Sequence, residues 1–124
     1  MKQKYQVLIV DENEEISCAL KKLLEQEAYA VEITRSAVDA LKKVKSDKYH
    51  IVLIDTDMSE MNGIELLKEI KGDSVLKKIP VVMLTVEGSP SEIQLSMLYG
   101  ANTYILKPAK KDDILNVVKN ILIV

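Results

Sequence analysis

The stretch Ile51-Val-Leu-Ile-Asp-Thr-Asp-Met-Ser-Glu-Met-Asn-Gly63 decides the fold. Its first four residues are apolar without alternation, as in a strand covered on both faces rather than one with a wet side. The run stops at Asp55, a polar loop follows, and after Gly63 the residues Ile64, Leu67 and Ile70 recur at helical spacing. Strand, loop and helix in that order form half of a parallel crossover unit.

The same grammar repeats on either side. Val7-Leu-Ile-Val10 and Val81-Val-Met-Leu84 are continuous apolar runs, Tyr104-Ile-Leu106 is a weaker one, and Val31-Glu-Ile33 is half-polar, which suits an edge strand. Between them, Ile16, Leu20, Leu23, Leu24 and Glu27 share a helical face, as do Val38, Leu41 and Val44. Ser89-Pro90 is expected to open a fourth helix and Gly100 to close it. Asp112 and Asp113 stand at the positive end of a last helix carrying Ile114, Val118, Ile121 and Leu122. Five strands alternating with five helices predict an α/β fold of (βα)5 type, a doubly wound parallel sheet wrapped by helices on both faces.

A length of 124 residues is that of one domain, expected to run over 1–124. The net charge of −2, with lysines and acidic residues interspersed, provides no basic stripe, so direct nucleic-acid contact is not expected. No apolar run reaches the roughly 20 residues of a membrane span. The N-terminal segment lacks signal-peptide features and Cys18 is the only cysteine, which together point to the cytoplasm.

In open parallel sheets the ligand crevice lies beyond the carboxyl ends of the strands. Asp11 and Glu12 follow the first apolar run, Asp55 the third, Thr85 the fourth, and Lys107-Pro108 the fifth. The fold would gather three carboxylates, a hydroxyl and an ammonium at one rim, where the like charges need a bound cation or the lysine to offset them. Oxygen ligands in a shallow site suit Mg²⁺, with Mn²⁺ able to substitute. The chemistry that fits is phosphoryl transfer onto a carboxylate, with Asp55 the natural nucleophile.

Taken in order, Asp11-Glu12, the segment from Asp55 to Gly63, Thr85, Tyr104 and Lys107-Pro108 resemble the receiver domains of bacterial response regulators along the whole chain. The resemblance implies a flavodoxin-like sheet of strand order 2-1-3-4-5 and phosphorylation of Asp55. It further implies Mg²⁺ held by Asp11, Glu12, Asp55 and the backbone carbonyl of Asp57. Thr85 would bind a phosphoryl oxygen, Lys107 would pair with the group, and Tyr104 would swing inward. The Lys107–Pro108 bond is expected to be cis. The donor would be a phosphohistidine on a sensor histidine kinase or phosphotransfer protein, recognised around Asn13, Glu15 and Ile16. A downstream protein target would read the fourth helix, fifth strand and fifth helix.

Five positions depart from or tune that pattern. Ser59 stands where relatives usually carry Pro, which is expected to loosen the loop after Asp55. Val86 puts bulk where a very small residue is usual and is expected to crowd the site. Ala109 replaces a common aromatic. Asp57 and Glu87, with Val86, are expected to modulate the lifetime of the phosphorylated state.

Each strand-end residue taken singly reads equally well as a turn former or helix cap. His50, Cys18 and the pairs Lys42-Lys43, Lys77-Lys78 and Lys110-Lys111 receive no function. Ile93, Leu95, Met97, Leu98 and Tyr99 cannot all face inward from one helix, and the final Ile-Leu-Ile-Val is apolar all round, so a docking or homodimer surface competes with ordinary exposed residues. Two other functions compete. Asp55-Thr-Asp57 resembles the Asp-x-Asp of haloacid-dehalogenase-type phosphatases, although that motif normally closes the first strand and those enzymes need a cap. An unphosphorylated binding module of the same fold is the second. Whether the chain stands alone or belongs to a longer regulator is not legible in it.

Overall fold

The computed structural model describes residues 5–86 and 90–122. Its strands are β1 (Gln6–Val10), β2 (Ala30–Thr34), β3 (Ile51–Asp55), β4 (Val81–Val86) and β5 (Thr103–Lys107). Its helices are α1 (Glu14–Gln26), α2 (Ala37–Ser46), α3 (Gly63–Gly72), α4 (Pro90–Leu98) and α5 (Lys111–Leu122), and a 3₁₀ turn at Leu76–Lys78 precedes β4. All strand pairs are parallel, in the order β2-β1-β3-β4-β5.

The uninterrupted apolar runs follow from a core on each side of the sheet, because successive side chains of a strand point to opposite faces. Leu8, Val10, Val52, Ile54, Val81 and Met83 face α2 and α3, packing on Ala40, Val44, Leu66, Leu67 and Ile70. Val7, Ile9, Ile51, Leu53, Val82 and Leu84 face α1 and α5, packing on Leu20, Leu24, Ile114 and Val118. Every residue of β3 is buried.

The outer elements differ from the sequence reading for a common reason, that an edge element is covered on one side only. In β5 only Ile105 is buried, and Tyr104 and Leu106 stand exposed. Val38 is 38% exposed, and α2 seats Ala37, Ala40 and Val44 instead, small residues that bring it close to the sheet. Ile16 and Glu27 are likewise exposed at the two ends of α1, whose buried line is Ser17, Leu20 and Leu24. In α4 only Ser96 is buried, while Leu95, Met97 and Leu98 face outward, Leu98 at 74% exposure. Gly100 ends this region with φ +99°, a left-handed conformation that glycine adopts at little cost. Ser89 and the last two residues, Ile123 and Val124, lie outside the described residues, so the expected cap and the end of the apolar tail are not described.

Candidate functional site

Register places the site. Val10 pairs with Ile54, so Asp11, one residue on, comes beside Asp55 at the end of β3. Asp55 pairs with Leu84, which sets Thr85 one step beyond it, and Val86 pairs with Lys107. Four strands thus deliver Asp11, Asp55, Thr85 and Lys107 to one rim, as the strand ends predicted.

Lys107 is the hub. Its Nζ lies 3.0 Å from Asp55 Oδ1 and 3.4 Å from Asp11 Oδ2, bridging two carboxylates that are themselves buried. Each carboxylate also accepts a backbone N–H from the loop that follows it: Asp11 Oδ1 from Asn13 at 2.9 Å, Asp55 Oδ1 from Asp57 at 3.1 Å. These bonds give both side chains a fixed direction. Burial pushes the Asp55 carboxyl above its ordinary range, opposed by hydrogen bonding and charge from Lys107 and by the Asp57 N–H.

Thr85 is buried, and its Oγ1 has no hydrogen-bond partner among the described residues; Thr56 Oγ1 is in the same condition. A buried hydroxyl without a partner costs on the order of 1–3 kcal/mol, so its retention beside the rim calls for an explanation. Glu12, Asp55, Asp57, Ser59, Val86 and Lys107 are among the residues lining an open crevice of about 420 Å³. Val86 is half exposed there, Tyr104 points outward from β5, and the Lys107–Pro108 bond is cis. Glu87 lies outside the described residues.

Two expectations change. The three acidic side chains do not converge as one cluster: among the described residues no group of three His, Cys, Asp or Glu side chains is placed to hold a metal. Glu12 instead turns to Ser59, which donates its backbone N–H to Glu12 Oε1 and its hydroxyl to Oε2 at 3.0 Å. Ser59 was expected to loosen the loop; it tethers the loop to Glu12 with two donors, neither of which a proline has. The contact spans 47 positions, and no local signal announces it.

Among the proposed partner-binding residues, Asn13 has a local duty, accepting the Ile16 N–H at 3.0 Å as the N-cap of α1. Glu15 and Ile16 are exposed beside it. Gly63 was read as the start of the third helix, but the contact that requires glycine there was not legible. A Cβ there would lie 2.0 Å from the Asp55 carbonyl oxygen, so only glycine lets α3 begin against the end of β3.

The family model for the response regulator receiver domain matches residues 7–119. The chain belongs to that family. Over 104 residues it is 36% identical to the chemotaxis protein CheY1 of Helicobacter pylori strain 26695, covering 82% of this chain and 84% of that protein. Over 109 residues it is 34% identical to the two-component response regulator ORR3 of Oryza sativa subsp. indica, covering 87% and 83%. The crystal structure of a response regulator from Chloroflexus aurantiacus superposes with a TM-score of 0.94 at 27% identity, covering 98% of this chain and all of the other. The receiver fold with strand order 2-1-3-4-5 is therefore shared with solved relatives, and the protein is a two-component signalling receiver. Among the described residues no helix is long and apolar enough to cross a membrane.

Proposed function

We propose that this receiver, over residues 1–124, is a switch set by phosphorylation of Asp55. The observation that carries the reading is the ammonium of Lys107 held between two buried carboxylates, 3.0 Å from Asp55, on a rim that also holds the Thr85 hydroxyl, which has no hydrogen-bond partner among the described residues.

In the reaction, an Asp55 carboxylate oxygen attacks the phosphorus of a phosphohistidine on a sensor kinase or phosphotransfer protein. The O–P bond forms as the P–N bond breaks, and the departing imidazole nitrogen takes a proton from solvent. Lys107 offsets charge on the incoming phosphoryl group. The fixed direction of the Asp55 carboxylate, set by the Asp57 N–H and Lys107, orients the attack. The group brings roughly two negative charges and three acceptor oxygens. Thr85 Oγ1 supplies the donor that one of those oxygens needs, satisfying a hydroxyl that has no partner among the described residues.

The candidate ligands at the rim are all oxygens, the chemistry of a hard divalent cation, and Glu12 would complete the set on turning from Ser59. Asp11, Glu12, Asp55 and the Asp57 carbonyl would hold Mg²⁺, or Mn²⁺ in its place. Bound there, the ion would neutralise phosphoryl charge during transfer.

The readout proposed is the surface of α4, β5 and α5. Leu95, Met97, Leu98, Tyr104 and Leu106 are exposed on its α4 and β5 portion, and Thr85 and Tyr104 lie on the adjacent strands β4 and β5 that connect it to the rim. Inward movement of Thr85 and Tyr104 would reshape it for a downstream protein or a second copy of the chain. We place this switch in the cytoplasm, acting by protein contact without direct nucleic-acid binding.

Incubation with acetyl phosphate and Mg²⁺ tests the reading. One slowly lost phosphoryl group per chain, absent from Asp55→Asn, is expected. Continuous turnover of a phosphomonoester would identify a phosphatase instead, and no labelling from either acetyl phosphate or a phosphohistidine donor would leave a binding module.

A further inference from the structure

The bonds between Ser59 and Glu12 have no part in the transfer chemistry, yet they occupy a side chain assigned to the metal. Both oxygens of the Glu12 carboxylate are engaged, Oε1 by the Ser59 N–H and Oε2 by its hydroxyl. They tie the second residue after β1 to the loop between β3 and α3, far apart in sequence and side by side at the rim. The other carboxylates of the rim are also satisfied, Asp11 and Asp55 by Lys107 and by the backbone N–H groups of Asn13 and Asp57. Asp11, Glu12 and Asp55 are therefore each held by internal bonds.

We propose that Ser59 is a latch on Glu12 that Mg²⁺ must release, so that Ser59 sets the affinity of the metal site and couples metal binding to the position of the β3–α3 loop. This rests on the proposed metal site. A carboxylate accepting two donors in a fixed direction has less capacity to turn toward a cation, and withdrawing it leaves the Ser59 N–H and hydroxyl to water. The donors stabilise the metal-free state alone, so they act as a competitor to the ion. Both groups are exposed, so solvent holds the effect of each bond to the low end of the net range for a protein hydrogen bond. Ser59 is a positioning residue here: it acts on the metal through Glu12.

The experiment is calorimetric titration of Mg²⁺, and separately Mn²⁺, into the unphosphorylated chain. Ser59→Ala removes the hydroxyl and keeps the N–H; Ser59→Pro removes both donors. We expect Mg²⁺ affinity to rise by about 3-fold in the first and by about 10-fold in the second, from the energy of one and two such bonds. In a Glu12→Ala background Ser59→Ala should change nothing, because the latch has lost its other half. Thermal melts of each variant without metal identify any that fails to fold, and Ser59→Ala at this exposed position carries the test if Ser59→Pro does not. Equal affinities in wild type and Ser59→Ala, or lower affinity in Ser59→Ala, would overturn the latch while leaving the phosphoryl-acceptor reading intact. No Mg²⁺ binding by the wild type would overturn the latch and the metal site on which it rests.

Discussion

Replacing Gly63 by alanine strikes the joint between the fold and the site. The added Cβ would lie 2.0 Å from the Asp55 carbonyl oxygen, 2.8 Å from its carbon and 2.9 Å from Ile54 Cγ2. Two of these three atoms are backbone, so no side-chain rotation relieves the clash. The start of α3 must retreat by about 1 Å to reach the 3.0 Å that real Cβ contacts respect. That movement breaks the bond from the Gly63 N–H to the Thr56 carbonyl, now 3.2 Å, and strains the cap that Asn62 places on the Glu65 N–H at 2.9 Å. Overpacking costs about 1–3 kcal/mol, and a lost hydrogen bond about 1 more. Alanine's better helix propensity returns less than about 1 kcal/mol. The expected destabilisation is about 3 kcal/mol, read by urea unfolding followed by circular dichroism, with Tm lower by roughly 10 °C. Gly72→Ala is the internal control, since nothing lies within 4 Å of a Cβ there; it should be neutral or stabilising by up to about 1 kcal/mol. A Gly63→Ala loss below about 1 kcal/mol with an unchanged m-value would refute the argument that this glycine is required by the close approach of α3 to β3.

Other predictions concern the rim. Lys107→Met strands two buried carboxylates and should lower stability by about 3 kcal/mol in metal-free buffer; thermal melts with and without Mg²⁺ should show much of this loss restored by the ion, and a loss indifferent to Mg²⁺ would contradict the site. Thr85→Val exchanges a hydroxyl without a partner among the described residues for a methyl group and should raise stability by about 1 kcal/mol in urea unfolding. The same variant should lose its phosphoryl group faster than wild type, and a destabilised Thr85→Val would show that the hydroxyl has a partner after all. Burial raises the Asp55 pKa above 3.8 in the folded state, so the native chain takes up its proton first and stability falls as pH rises through the interval between the unfolded and folded values. In metal-free buffer Asp55→Asn should therefore be more stable than wild type at neutral pH, with the difference shrinking toward pH 4; a difference that grows on acidification would reverse the sign.

Much of this architecture was legible because β1, β3 and β4 lie under helices on both faces, which writes itself into the chain as unbroken apolar runs. Their polar terminations then marked Asp11, Asp55 and Thr85 without knowledge of any contact. The edges were less legible: β5 alternates, and the buried line of α2 runs through Ala37 and Ala40, whose small side chains leave a weak periodic signal beside the larger but exposed Val38. Least legible were contacts between distant loops. Ser59 read as the loss of a rigid proline, whereas its two donors to Glu12 depend on β1 and β3 lying side by side. The convergence of three carboxylates failed for the same reason, since spacing locates Glu12 at the rim but not the direction its side chain takes.

Phosphorylation at Asp55 is the claim on which the rest depends, and trapping the acyl phosphate tests it directly. The chain would be incubated with Mg²⁺ and a phosphoryl donor, reduced with borohydride and analysed by peptide mass spectrometry. Homoserine at position 55, and nowhere else, is the predicted result. Reduction at another carboxylate, or a phosphoryl group that survives reduction on Ser59 or Thr85, would contradict it.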